Sequence, residues 1–258
     1  MVIRLLGAGL HEARKRRHRQ REPFTTGYIQ VPEGFQAVND YGTLQIDSDF
    51  TNLSLLRRGQ LTTANYSNGS VTNTRPTRAS LAINDNELVA FACASPTAIV
   101  ARDGNEVVFS TDSPAGAVIS YWVFGIAGPV SNTGLQVFKS DGSIAFDAGW
   151  QLLKFLGQTA GNGGYSYPGR AIAVIPQVMY LLTEYASIVQ GVAPAVFILD
   201  SRNSRMSAAS ISGSSLSIST ALVDSWGMTR SYPNEIGPNG QSDNGVAPSY
   251  LVVDVTGY

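Results

Sequence analysis

The sequence predicts an all-β protein with two β-sandwich-like domains related by an internal repeat and preceded by a basic N-terminal arm. Three observations carry this. A hairpin-like stretch occurs twice, 100 residues apart. The apolar residues fall in short β-branched and aromatic runs, punctuated by Gly, Asp, Asn and Pro, which is the pattern of strands and turns rather than of helices. Helix signals are weak throughout, apart from a segment near residues 8 to 21.

The repeated stretch is Gly34-Phe-Gln-Ala-Val-Asn-Asp-Tyr-Gly-Thr-Leu-Gln-Ile-Asp47, which returns as Gly134-Leu-Gln-Val-Phe-Lys-Ser-Asp-Gly-Ser-Ile-Ala-Phe-Asp147. Each copy alternates apolar and polar residues on either side of a turn at Asp40-Tyr41-Gly42 or Ser140-Asp141-Gly142, so each reads as a β-hairpin. The match runs on, with Leu53 and Leu56 opposite Leu153 and Leu156, and Gly59 opposite Gly157 after a one-residue slip. A second extended segment is therefore expected after each hairpin. The repeat divides the chain into an arm at 1–22, a first β domain at 23–130 and a second at 131–258.

Along the chain, Tyr28 to Val31 is a short strand candidate, and residues 59 to 80 are Thr/Asn/Ser-rich, as a polar strand or exposed loop would be. Strand-like runs follow at Leu88 to Ala94, at Ala98 to Arg102 with Val107 to Ser110 across the Asp103-Gly104 turn, and at Ala117 to Gly125. The last is apolar on both faces and should be a buried central strand. In the second half, Gly161 to Gly169 reads as a Gly/Tyr loop. Ala171 to Ile175, Gln177 to Leu182 and Pro194 to Leu199 are strand candidates, and a thin strand is expected through the Ser-rich residues 201 to 220 on the strength of Ile211, Leu216 and Ile218. Tyr250 to Tyr258 closes the chain in the part that Ala117 to Gly125 plays in the first half.

Charge is uneven. Arg4, Arg14, Lys15, Arg16, Arg17, Arg19 and Arg21 face only Glu12 and Glu22, so the arm carries +5 and leaves −6 on the remainder of a chain whose net charge is −1. Such an arm can be a solvated tail, a tether on a protein neighbour, or a nucleic-acid contact. Protein docking is preferred, with Leu5 and Leu6 among the residues supplying apolar contacts, and nucleic acid ranks last. Only 14% of residues are charged, against an ordinary ~25%, which fits either large protein interfaces or a compact all-β chain with Ser/Thr-rich turns.

The single Cys93 lies in an apolar run and reads as a buried thiol. It excludes an intrachain disulfide and favours a reducing compartment. No apolar stretch reaches the ~20 residues of a spanning helix and no signal core is apparent, so no membrane insertion is expected.

Both histidines, His11 and His18, lie in the arm, which leaves residues 23 to 258 without an imidazole. That removes Ser-His-Asp and Cys-His catalysis and any His-ligated zinc from the body. No phosphate-binding or dinucleotide fingerprint is present, and no cofactor or metal is expected. Of the carboxylates, Asp47 and Asp147 recur after a strand and read as turn caps, with Asp200 and Asp224 as further candidates for glycoside hydrolysis. Enzymatic activity is not expected. Tyr165, Tyr167, Trp226, Tyr232 and Tyr258 lie in Gly/Pro/Asn-rich sequence, where ring faces suit sugars or protein contacts, or merely pin their own loops. The first four are the candidates for contact with a receptor. Trp122 and Trp150 read as core.

The hairpin Gly134 to Asp147, the preceding Tyr121-Trp-Val-Phe124 and the terminal Leu251-Val-Val-Asp-Val-Thr-Gly257 resemble a family of small minor-tail and tail-tip proteins of siphophage-type bacteriophages. The earlier Gly34 to Asp47 fits the opening segment of that family, so the resemblance covers residues 34 to 258; the basic arm falls outside it. The family carries no activity that transfers to a residue. What the resemblance implies is a virion structural role, made in the host cytoplasm and assembled into the tail in multiple copies. Other tail proteins are then the expected partners, and the host surface a candidate one.

Overall fold

A computed structural model describes residues 2–6, 34–38, 44–47, 51–66, 76–131, 134–190, 197–231 and 239–258. Their regular elements are twenty strands and no helix. In the first part of the chain these are β1 (Val2–Leu6), β2 (Gly34–Val38), β3 (Leu44–Asp47), β4 (Ser54–Thr62), β5 (Ala64–Asn65), β6 (Thr77–Ala82), β7 (Leu88–Cys93), β8 (Thr97–Asp103), β9 (Glu106–Thr111) and β10 (Val118–Gly125). The later strands are β11 (Gln136–Phe138), β12 (Ile144–Asp147), β13 (Lys154–Gln158), β14 (Gly163–Ser166), β15 (Ile172–Val178), β16 (Leu181–Gln190), β17 (Phe197–Ser212), β18 (Ser215–Ser231), β19 (Gly240–Asp243) and β20 (Ser249–Asp254). The helix signal near residues 8 to 21 and the strand candidate at Tyr28 to Val31 lie outside the described residues.

The chain forms two compact units, Met1–Leu53 with Ile126–Trp150, and Ser54–Gly125 with Gln151–Tyr258. This replaces the division at residue 130, because strands from both sequence halves share both sheets of the second unit.

In the first unit, β1, β2 and β3 form one sheet in that order and β11 and β12 a two-stranded one. The two hairpins pair identically at the offset of 100. Gln36 lies opposite Asp47, Ala37 opposite Ile46 and Val38 opposite Leu44, just as Gln136, Val137 and Phe138 lie opposite Asp147, Phe146 and Ile144. Both have their irregularity at the same step. The Asp-Gly signal at the second turn is realised: Asp141 Oδ1 accepts bonds from the Ser143 N–H at 2.8 Å and hydroxyl at 2.6 Å, and Gly142 has φ +82°.

In the second unit a six-stranded sheet runs β4-β10-β7-β15-β20-β13, and a larger one β5-β6-β9-β8-β17-β18-β14. Set aside the short β5 and the inserted β16 and β19, and each sequence half supplies six strands. Numbered within its half, each supplies its first, last and third strands to one sheet and its second, fifth and fourth to the other. The halves meet edge to edge at β7/β15, through Phe91 and Val174, and at β8/β17, through Thr97 and Ala209.

The core lies between these sheets. Val89, Phe91, Ile119, Val123, Val174 and Val252 come from one layer, and Val107, Phe109, Ile211, Leu216 and Ile218 from the other. They are the β-branched and aromatic residues that suit a pleated, buried face. Phe91 and Phe109 meet edge to face across the gap, with centroids 5.4 Å apart. Tyr250, fully buried, spans the layers and donates its hydroxyl to the Ser207 carbonyl at 2.9 Å; burial pushes its pKa up to about 12. Cys93 is a buried free thiol.

The strands expected at 88–94, across the Asp103-Gly104 turn, at 117–125 and at the chain end are present, and the last two are central, each flanked on both sides. Gly59 shows what a missing side chain permits. The Tyr121 ring lies across it from the neighbouring strand, so near that a Cβ would come within 2.6 Å of the hydroxyl.

Three expectations need correction. Gly161 to Gly169 is not all loop, since β14 pairs Tyr165 with Leu216. Gln177 to Leu182 is not one strand but the place where β15 ends and β16 begins. The thin strand through 201 to 220 is a hairpin of two long strands, turning where Gly213 takes φ +60°.

Candidate functional site

That hairpin positions the site. β17 and β18 are 16 and 17 residues long; their inner ends, around Ala209, Ile211, Leu216 and Ile218, enter the main core, Ala208, Ala221 and Val223 form a smaller buried cluster with Ala98, and Ile198 is buried farther out. Their outer ends form a ribbon with β16, which pairs with residues 197–206, and with β19 beyond it. Alternation is loose here, with Ser, Asn, Asp and Arg between the apolar residues, so the ribbon is held by its ladder and by cross-strand polar pairs.

Opposite charges stand on neighbouring strands. Arg230 pairs with Asp200, its Nη2 donating at 3.0 Å, and the Ser187 hydroxyl donates to the same carboxylate. The Arg230 bond first, then Ser187, hold Asp200 below the usual carboxylate range. Arg202 donates from Nη2 to Asp224 Oδ2 at 3.1 Å, and Arg205 to Glu184 at 3.4 Å. Within this lattice Tyr185, Arg202 and Trp226 form one row across three strands, because Tyr185 is registered with Arg202 and Arg202 with Trp226.

The row borders an open concavity of about 480 Å³, lined also by Ser187, Asp200 and Arg230. Apolar side chains crowd the same strands. Leu181, Tyr185, Ile188 and Val189 of β16 are each at least 40% exposed, and Met228 of β18 is 39% exposed.

Of the sequence candidates for receptor contact, Trp226 is the one that belongs to this concavity. Tyr165 and Tyr167 pack against the core, and the Tyr165 hydroxyl donates to the Ala160 carbonyl at 3.0 Å, so both pin local structure. Tyr165 also borders a shallower, Ser-rich concavity with Ser210 and Ser217. Tyr232 lies outside the described residues. Tyr258 is likewise a pin, donating to the Leu152 carbonyl and packing at 6.0 Å from the Phe124 ring. Trp150 is buried, its Nε1 donating to Gly128. Trp122 is half-buried, with its Nε1 shut away from solvent and without a partner.

Of the docking candidates, Arg4, Leu5 and Leu6 lie on β1, in register with Gln36, Phe35 and Gly34. Arg14, Lys15, Arg16, Arg17, Arg19 and Arg21 lie outside the described residues. Sequence reasoning missed Tyr185 and Arg202, whose membership of the row depends on register across strands.

Of the candidate carboxylates, Asp147, Asp200 and Asp224 are engaged; the side chain of Asp47 lies outside the described residues. Asp147 is fully buried and accepts bonds from Gln136 Nε2 at 2.9 Å, the Gly149 N–H at 2.7 Å, and the Ser131 N–H and hydroxyl. The bond from Gln136 is the largest of the effects that lower its pKa far below the ordinary value. Asp200 and Asp224 are both ion-paired. Among the described residues no group of three or more His, Cys, Asp and Glu is placed to hold a metal ion, and no helix is long and apolar enough to cross a membrane.

No family model matches the chain, and no curated protein or solved structure was found to be similar to it.

Proposed function

We propose that the protein is a structural component of a bacteriophage tail, at the tail tip, baseplate or tail fibre, that docks on other tail proteins through its N-terminal arm. The observation that carries this is the ribbon. Exposed apolar residues on strands of one sheet are what a β protein presents when another chain covers them. The low charge content and the resemblance of residues 34 to 258 to tail-tip proteins point the same way. The ion-paired carboxylates favour a structural role over glycoside cleavage, which needs one carboxyl held protonated as general acid.

The test is the composition of purified particles. Antibody labelling is expected at the distal end of the tail, and deletion of residues 1–22 is expected to abolish incorporation. Full incorporation of the truncated protein overturns the arm as anchor.

A second reading, a receptor-binding module that contacts host glycan or protein, is favoured by the concavity beside Trp226. On this reading Trp226→Ala leaves assembly intact and impairs adsorption to host cells; unchanged adsorption counts against it.

A further inference from the structure

We propose that the row Tyr185, Arg202 and Trp226 is a binding site for an extended, uncharged glycan. This names the ligand class of the receptor-binding reading and rests on it.

Spacing gives the first argument. Tyr185 and Trp226 flank Arg202 on the next strands to either side. Adjacent strands lie ~4.8 Å apart, so the two aromatic residues stand ~10 Å apart along the row. That is too far for one sugar ring to stack on both, and about the separation of two rings with one sugar between them in an extended chain. A concavity of about 480 Å³ is of the size that takes a small ligand. The exposure of Tyr185, at 46%, leaves its ring available as a platform.

Charge gives the second. Asp200 is paired with Arg230, and Asp224 with Arg202 and, at 4.0 Å, with Arg78, so both carboxylates already have their countercharge and a neutral ligand displaces no ion pair. Hydroxyl groups do fit. Each is both donor and acceptor; a carboxylate oxygen of Asp200 can accept from one, and the guanidinium of Arg202, 46% exposed, can donate to the next. Ion pairing holds these groups in place before the ligand arrives, which lowers the ordering cost of binding. Arg202 in the middle of the row then faces the sugar between the two stacked rings.

The experiment is calorimetric titration of the full chain with maltotetraose, cellotetraose and chitotetraose, repeated with the corresponding disaccharides and at raised salt. The account expects saturable binding of at least one tetrasaccharide, weaker binding of its disaccharide, and little response to salt. Trp226→Ala and Tyr185→Ala should each weaken binding about tenfold or more, with circular dichroism unchanged, while Trp122→Phe should have no effect.

Absence of saturable heat with all three tetrasaccharides, equal affinity for disaccharide and tetrasaccharide, or strong salt dependence overturns the proposal. Adsorption of the same protein to host cells separates the two levels. Adsorption that is lost with Trp226→Ala, with no glycan heat from the unaltered protein, overturns the glycan as ligand and leaves the receptor-binding reading standing. No adsorption by the unaltered protein overturns both.

Discussion

The two sequence halves of the second unit, residues 54–125 and 151–258, contribute corresponding strands to the same two sheets and differ mainly in one place. In the first half the fourth and fifth strands, β8 and β9, have 7 and 6 residues and stop where the core stops. In the second half their counterparts β17 and β18 have 16 and 17, and β16 and β19 are added beside them. Among the shared strands, β7, β9, β10, β15 and β20 are dense in Val, Ile and Phe and are largely buried. The additional length is Ser-, Asp- and Arg-rich and mostly half-exposed, with Ile198 and Ser225 buried. Apolar burial alone would stabilise the short version of the hairpin, so the longer one calls for a reason other than stability, and the row beside Trp226 supplies one.

The comparison breaks most severely at the join between the halves. Phe91 is fully buried and registered with Val174 of the other half. Phe91→Ala should cost about 3–5 kcal/mol through lost burial and the cavity left behind. Because both halves share this core, denaturant unfolding followed by two probes, one in each half, should shift together. Independent transitions would show that the halves do not share one core.

Next comes a pair belonging to the first half alone. Glu87, 7% exposed, accepts two bonds from Arg57, at 2.6 and 2.7 Å, and further bonds from the backbone and side chain of Asn84. Arg57→Ala leaves that carboxylate buried without its cation and should cost about 1–3 kcal/mol. The same pair sets a pH dependence. Chiefly through the Arg57 bond, the pKa of Glu87 falls from 4.5 to about 2. A depressed carboxylate contributes stability that is fully present above the unfolded value and is lost as pH falls toward the folded one. Stability should therefore decline between about pH 4.5 and pH 2, and Glu87→Gln should flatten that decline; an unchanged acid limb would rule Glu87 out as its source.

A smaller, local effect is expected in the other compact unit. Asp147→Ala removes the acceptor for the Gly149 and Ser131 N–H groups. Amide exchange at these two positions should accelerate while the strand Leu88–Cys93 keeps its protection. The smallest effect on stability is expected in the ribbon, where Trp226→Ala should change it by less than about 1 kcal/mol, since Trp226 lies outside the core. A larger loss in thermal unfolding would make it a packing residue and blur the contrast between core and ribbon.

Much of the core strand pattern was legible in the sequence. The runs at 88–93, 118–125 and 249–254 are dominated by apolar residues, and such runs are buried almost wherever they fall in a sheet. The two hairpins were legible because a turn signal sits between alternating segments. What could not be read was pairing between distant strands, which joined the two halves into one unit where separate domains were expected. The long hairpin was missed because Ser and Ala give strand residues no apolar rhythm, although Ser212-Gly213-Ser214 marks its turn. The site was half visible: an aromatic ring in polar sequence flagged Trp226, whereas Tyr185 and Arg202 join it only through register. Tyr165 carried the same signal and turned out to tie its own segment to the core.

The most direct test of the contrast is residue-resolved amide exchange on the full chain. The account predicts one common opening free energy for Val89, Phe91 and Phe109 in the first half and Val174, Leu216 and Val252 in the second, with faster, local opening at 183–187, 200–203 and 225–229. Two distinct opening energies for the two halves, or a ribbon as protected as the core, would contradict it.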